Sequence, residues 1–111
     1  MSSGAAAPNP DSLAQKRREV LAFTRDAVDK AKAEHEAHGE EALGRLSLLW
    51  KVPRIHVRRL IGKGEQYMSV LANVLEGRSY PECAELLGIT RREVELTVRY
   101  IEELMKERGF S

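Results

Sequence analysis

The stretch Leu75–Phe110, LEGRSYPECAELLGITRREVELTVRYIEELMKERGF, decides the fold of this chain. Its leading apolar run stops at Leu75 and Gly77 breaks it. Ser79 then stands where a cap is needed for a helix from Tyr80 to Leu87, with Pro81 in the first turn, where its missing N–H leaves no bond unmade. Gly88 supplies a residue able to take positive φ, Ile89 plugs the corner, and Thr90 caps a longer helix to about Arg108. Two helices joined this tightly must cross steeply, which is the geometry of a helix-turn-helix. Ala84 is small where the helices touch, and Leu86, Leu87, Ile89 and Val94 are expected to fill the angle between them.

The order G-x-S-Y-x-x-C-A-E-L-L-G-I-T-x-x-x-V, from Gly77 to Val94, closely resembles the DNA-binding domain of LuxR/GerE-type regulators and the related sigma-factor region that reads the upstream promoter element. The likeness covers about a third of the chain. It implies a second helix laid in the major groove of duplex DNA. On a helical wheel Arg91, Arg92, Glu95 and Arg99 share one arc, away from the core stripe Val94, Val98, Ile101 and Met105. These four are candidate contacts, since Arg pairs with guanine or phosphate and Glu accepts from cytosine. The family usually carries Lys or Asn where this chain has Glu95. Glu76 to Ser111 holds six basic against eight acidic residues, a balance that neutralises little phosphate charge.

Displaced by 37 residues, Glu41 to Lys63 reads as a weaker copy of the same unit, with Leu43 matching Tyr80, Ser47 matching Ala84, Leu49 matching Leu86, Val52 matching Ile89, Pro53 matching Thr90 and Val57 matching Val94. Lys51 stands where the turn glycine should be, at a strain of ~1 kcal/mol. Pro53 suits a helix start, and Val57, Leu60 and Ile61 make an inner face. Arg54, Ile55, Arg58 and Arg59 fall on the outer arc: three guanidinium groups and one apolar side chain for a thymine methyl. From Arg45 to Lys63 there are six basic residues and no acidic one, so Arg45, Lys51, Arg59 and Lys63 are candidate phosphate anchors.

The rest reads as support. Residues 1–10 are small, Pro-bearing and uncharged apart from the terminus, and are expected to form a disordered tail. Asp11 or Ser12 is expected to cap a helix over residues 11–38, with Leu13, Val20, Thr24, Ala27 and Ala31 along one side, Leu21 and Val28 flanking it, Phe23 off the stripe and Gly39 at its end. Gly62 and Gly64 suggest a short linker, after which Glu65–Glu76, apolar nearly all round, reads as a buried central helix opening a 65–108 segment. Cys83 takes the place of an Ile in the resembled family and reads as a small buried hydrophobe. A second apolar stripe on the last helix, Leu96, Tyr100 and Leu104, is expected to pack on a symmetry mate and form a two-fold dimer, with the long N-terminal helix as the intramolecular alternative.

With 111 residues, 42% hydrophobic and 5% aromatic, and without alternating β-branched runs, the chain is expected to be a single all-α domain. One cysteine excludes an internal disulfide, and no apolar run approaches the ~20 residues that span a bilayer, so the cytoplasm is the expected compartment and no membrane contact is expected. His35 and His38, three apart beside Glu34 and Glu41, read as a solvated face because zinc-protease histidines stand four apart. No nucleophile relay, metal cluster or phosphate-cradling loop is visible, so neither an enzyme nor a cofactor site is expected. The sequence reading is therefore a small bacterial or mobile-element regulator that binds double-stranded DNA as a homodimer, with a possible protein partner in the transcription machinery. The competing reading is a protein-interaction module, an antiactivator or phage packaging adaptor, that keeps the helix-turn-helix shape.

Overall fold

The computed structural model describes residues 10–108; the expected tail over residues 1–9 and the last residues, 109–111, lie outside the described residues. Five helices follow one another: α1 Pro10–His38, α2 Glu41–Trp50, α3 Arg54–Leu75, α4 Tyr80–Leu87 and α5 Arg91–Glu107. Among the described residues there is no strand, and the chain is all-α. No described helix is long and apolar enough to cross a membrane.

Small side chains let α1 lie close along α3. Thr24, Ala27, Val28 and Ala31 are fully buried, and the Thr24 hydroxyl is satisfied by the Val20 carbonyl at 2.8 Å. On α3 the matching small residue is Gly64, buried, where an added Cβ would overlap Val28 Cγ1. Where the sequence reading placed a short linker, at Gly62 to Gly64, Lys63 is non-helical (φ −129°, ψ 27°) and two helical stretches meet at a kink, with no loop between them. A helical glycine costs about 1 kcal/mol relative to alanine, and packing on both sides of the kink outweighs that. At its other end α1 starts at Pro10, ahead of the expected caps Asp11 and Ser12, and Leu13 remains largely exposed. Phe23, off the expected stripe, packs against the core edge with the Arg108 guanidinium 5.4 Å above its ring.

The two tight corners are built alike. Gly88 caps α4 at φ 67° with its N–H on the Ala84 carbonyl, and Ile89 N–H shares that acceptor at 3.1 Å. Lys51 caps α2 at φ 57° with its N–H on the Ser47 carbonyl, and Val52 N–H joins it at 3.2 Å. The Ser47 and Ala84 acceptors are 37 residues apart, as are Lys51 and Gly88. Lys51 is the one non-glycine residue with positive φ among those described, so a lysine carries the left-handed turn that glycine carries in the second unit.

Ser79 closes a capping box, accepting from Glu82 N–H at 3.3 Å while its own N–H donates to the Glu82 carboxylate at 2.8 Å. Thr90 caps α5 by accepting from Glu93 N–H at 3.1 Å. The corner is filled by buried Cys83 and Val94 with Ala84, Leu87 and Ile89 packed against them. Leu86, expected to fill it, points out and is 63% exposed. Leu43, Leu46, Trp50, Leu60, Tyr67, Val70 and Ile101 join these units to α1 in one core.

Candidate nucleic-acid interface

The helices that follow the two corners, α3 and α5, lie side by side through a polar joint that the sequence reading did not foresee. Arg59 donates to Glu93 at 3.0 and 3.5 Å and to the Tyr67 hydroxyl at 3.0 Å. Lys63 and Gln66 both reach the same Glu93 oxygen at 3.1 Å. With Arg59 donating to it and Lys63 and Gln66 adding, the Glu93 carboxyl is held down at about 2. Burial pushes the Tyr67 phenol up to about 12, against the pull of Arg59. Further along, His56 stacks on Tyr100 with ring centroids 3.8 Å apart, and its Nε2 lies 3.3 Å from Glu103 Oε2. Its Nδ1 is buried without a partner, and burial lowers the imidazole pKa although Glu103 opposes the shift.

Two of these contacts have partners related by the sequence repeat. Shifting each residue by 37 positions, up from α3 and down from α5, turns Lys63–Glu93 into Tyr100–His56 and turns Gln66–Glu93 into Glu103–His56; all four pairs are in contact. The start of α3 meets the later part of α5 and the reverse, so the two helices run antiparallel past each other.

This arrangement sorts the candidate residues. Each helix turns one side to the core, Val57 and Leu60 on α3 and Val94, Val98 and Ile101 on α5, and the next side to its neighbour. Arg54, Ile55 and Arg58 on α3, and Arg91, Arg92 and Arg99 on α5, are all exposed, with Glu95 partly covered, and the Arg54 guanidinium lies against Gly44 of α2. Arg58 is loosely tied to Glu40 at 3.5 Å and Arg92 to Glu95 at 4.0 Å. Arg45 and Lys51 are exposed on the α2 side, and neither forms an ion pair among the described residues.

Three expectations are corrected. Arg59, placed on the outer arc from sequence, is turned inward: its side chain is only 13% exposed and lies 5.4 Å over the Tyr100 ring. Lys63, though exposed, is tied to Glu93. The stripe Leu96, Tyr100 and Leu104 is not left open for a symmetry mate, because Leu104 is 2% exposed, Leu96 is partly buried, and Tyr100 is covered by His56 and Arg59 of α3. Sequence reasoning missed Glu93, Gln66 and Tyr67 as site residues, because a helical wheel does not show which helix lies opposite.

Elsewhere, His38 Nε2 stands 3.9 Å from Glu34 on the solvated end of α1, and Cys83 is fully buried, with burial pushing its thiol up. The chain matches no family model, no curated protein and no solved structure.

Proposed function

We propose that this protein binds double-stranded DNA through α5, with α3 beside it holding the backbone, and acts as a small transcriptional regulator. The observation that carries the reading is the set of exposed guanidinium groups on α3 and α5, Arg54, Arg58, Arg91, Arg92 and Arg99, against Glu95 and a loosely tied Glu40. The resemblance of Gly77–Val94 to LuxR/GerE-type and sigma-factor modules supports α5 as the inserted helix. Packed helices lie about 8–10 Å apart, whereas a major groove about 12 Å wide admits one helix and successive grooves recur at about 34 Å. One helix of the pair therefore enters a groove. Arg91, Arg92 and Arg99 are assigned to base edges or nearby phosphates, and Arg54, Arg58, Arg45 and Lys51 to backbone anchoring.

The test is an anisotropy titration on duplexes enriched by selection. Arg91→Glu with Arg92→Glu is expected to lower affinity at least tenfold and blur sequence preference, and Arg54→Glu with Arg58→Glu to weaken all duplexes alike and flatten the salt dependence. Absence of saturable binding at low salt overturns the reading.

The adaptor reading keeps one observation in its favour: Arg59 and Lys63 are committed to Glu93 inside the molecule, and the α4–α5 unit is acid-rich. Under that reading the Arg54 and Arg58 reversals leave partner capture intact.

A further inference from the structure

The first turn of α3 is weakly held by its own chemistry. Its N-cap is Pro53, which offers no side-chain acceptor, and no acidic residue stands in the turn to meet the positive end of the helix. Arg54 lies along Gly44 of α2 and Arg58 reaches Glu40 at 3.5 Å, both at the exposed surface, where such contacts add little. Val57 and Leu60, buried in the core, fix the turns that follow. What ties the first turn to the rest of the molecule is His56, only 5% exposed and stacked on Tyr100 of α5.

That anchor suits a neutral ring. Nε2 lies 3.3 Å from Glu103 and directs its hydrogen there, which leaves Nδ1 to take a second proton. Nδ1 is buried without a partner, so a proton placed on it is stranded. The added charge shares the Tyr100 ring with Arg59, whose guanidinium lies 5.4 Å from the ring centroid, and it falls on the third residue of α3, at the positive end of the helix dipole. Among the described residues Glu103 is the charged group that favours the proton, and its side chain is 48% exposed, so water screens it. Glu93, the other carboxylate of the joint, is occupied by Arg59, Lys63 and Gln66.

We propose that protonation of His56 unlocks the first turn of α3, so that the order of Arg54, Ile55 and Arg58 is gated by pH. Leaving the joint lets water reach both ring nitrogens, and opening one uncapped turn costs less than unfolding the core. Acid therefore frays this turn while α5 and the remainder of α3 stay folded. The inference does not rest on DNA binding, because the opening belongs to the free protein, and any partner held by Arg54 and Arg58 is released with it.

The experiment is amide hydrogen exchange by NMR on the full chain without DNA, at about pH 7.5 and about pH 5, on either side of the ordinary histidine value. The reporters are Val57 and Arg58, whose helical acceptors are the carbonyls of Pro53 and Arg54. Their protection is expected to fall roughly threefold or more at the lower pH. It is also expected to be insensitive to dilute urea, as for an opening that exposes little surface, whereas Val70 and Ile101 in the core lose protection as urea is added. His56→Phe is expected to hold Val57 and Arg58 at one level across the pH range, although His35 and His38 still titrate in it. Glu103→Gln keeps the stacked ring and removes the charge that favours its protonation, so protection is expected to fall further than in the parent. Protection that does not change with pH overturns the proposal, as does an equal fall in His56→Phe or a smaller one in Glu103→Gln. Reporters as sensitive to urea as Val70 overturn it too, since the turn would then open only with the whole fold.

Discussion

Arg59 on α3 donates to both carboxylate oxygens of Glu93 on α5, at 3.0 and 3.5 Å, and these two side chains are the electrostatic centre of the joint between the helix-turn-helix units. Both are mostly shielded from water, at 13% and 24% side-chain exposure, so the pair acts where screening is weak. Glu93 is also the sole acceptor shared by Lys63 and Gln66, which makes it the residue whose loss strands the most donors.

Glu93→Gln is therefore expected to destabilise the fold by roughly 1.5–3 kcal/mol, the range for hydrogen bonds to charged groups. The pH dependence has a definite sign. The Glu93 carboxyl is depressed from 4.5 to about 2 in the folded chain, so its contribution is complete above 4.5 and is lost as pH falls toward 2. Urea unfolding across that window is expected to show a steep acid loss in the parent and a shallower one in Glu93→Gln. Equal slopes would mean that the carboxylate contributes nothing.

How far this joint could be read from sequence depends on the kind of information each part needs. The α4–α5 corner is local, set by Ser79, Gly88 and Thr90 within a dozen residues, and its bounds agree with the sequence reading to within a residue. The α2–α3 corner was legible through the repeat despite its lysine turn. The outer arc of α3 was not, because a helical wheel gives the arc of Arg59 but not what lies across from it, and Glu93 is 34 residues away. The break between Gly62 and Gly64 was legible and is the kink at Lys63, but the close seat of Gly64 on Val28 of α1 was not.

His56 gives the joint a second pH response. Burial lowers its pKa from 6.5, so the folded state prefers the neutral ring and stability present above 6.5 is lost as pH falls through that value toward the depressed one. His56→Phe keeps a ring on Tyr100 and removes both the titration and the unpartnered Nδ1. Its urea midpoint is expected to change less than the parent's between either side of 6.5, and a variant that falls as steeply as the parent would count against this account.

Two neighbouring glycines are expected to respond to alanine with opposite signs. At Gly62 an added Cβ meets nothing within 4 Å, so Gly62→Ala should stabilise by about 0.5–1 kcal/mol through helix propensity. At Gly64 the Cβ runs into Val28, a β-branched side chain with little rotamer freedom on its own helix, so Gly64→Ala should destabilise by about 1–3 kcal/mol through overpacking. Thermal unfolding of the two variants checks both signs.

Lys51 separates a structural role from a binding role in one substitution. Its φ of 57° is strained for a lysine and natural for glycine, the residue that holds the equivalent place at Gly88. Lys51→Gly is expected to raise folding stability by roughly 1 kcal/mol, offset in part by the extra freedom glycine gives the unfolded chain. If Lys51 also anchors a phosphate, the same variant should bind all duplexes more weakly and lower the slope of log affinity against log salt by about 1. A more stable protein with an unchanged slope would leave the turn assignment standing and remove Lys51 from the DNA contact. A fall in both stability and slope would instead show that lysine is held in this turn by contacts its charge makes with the folded chain.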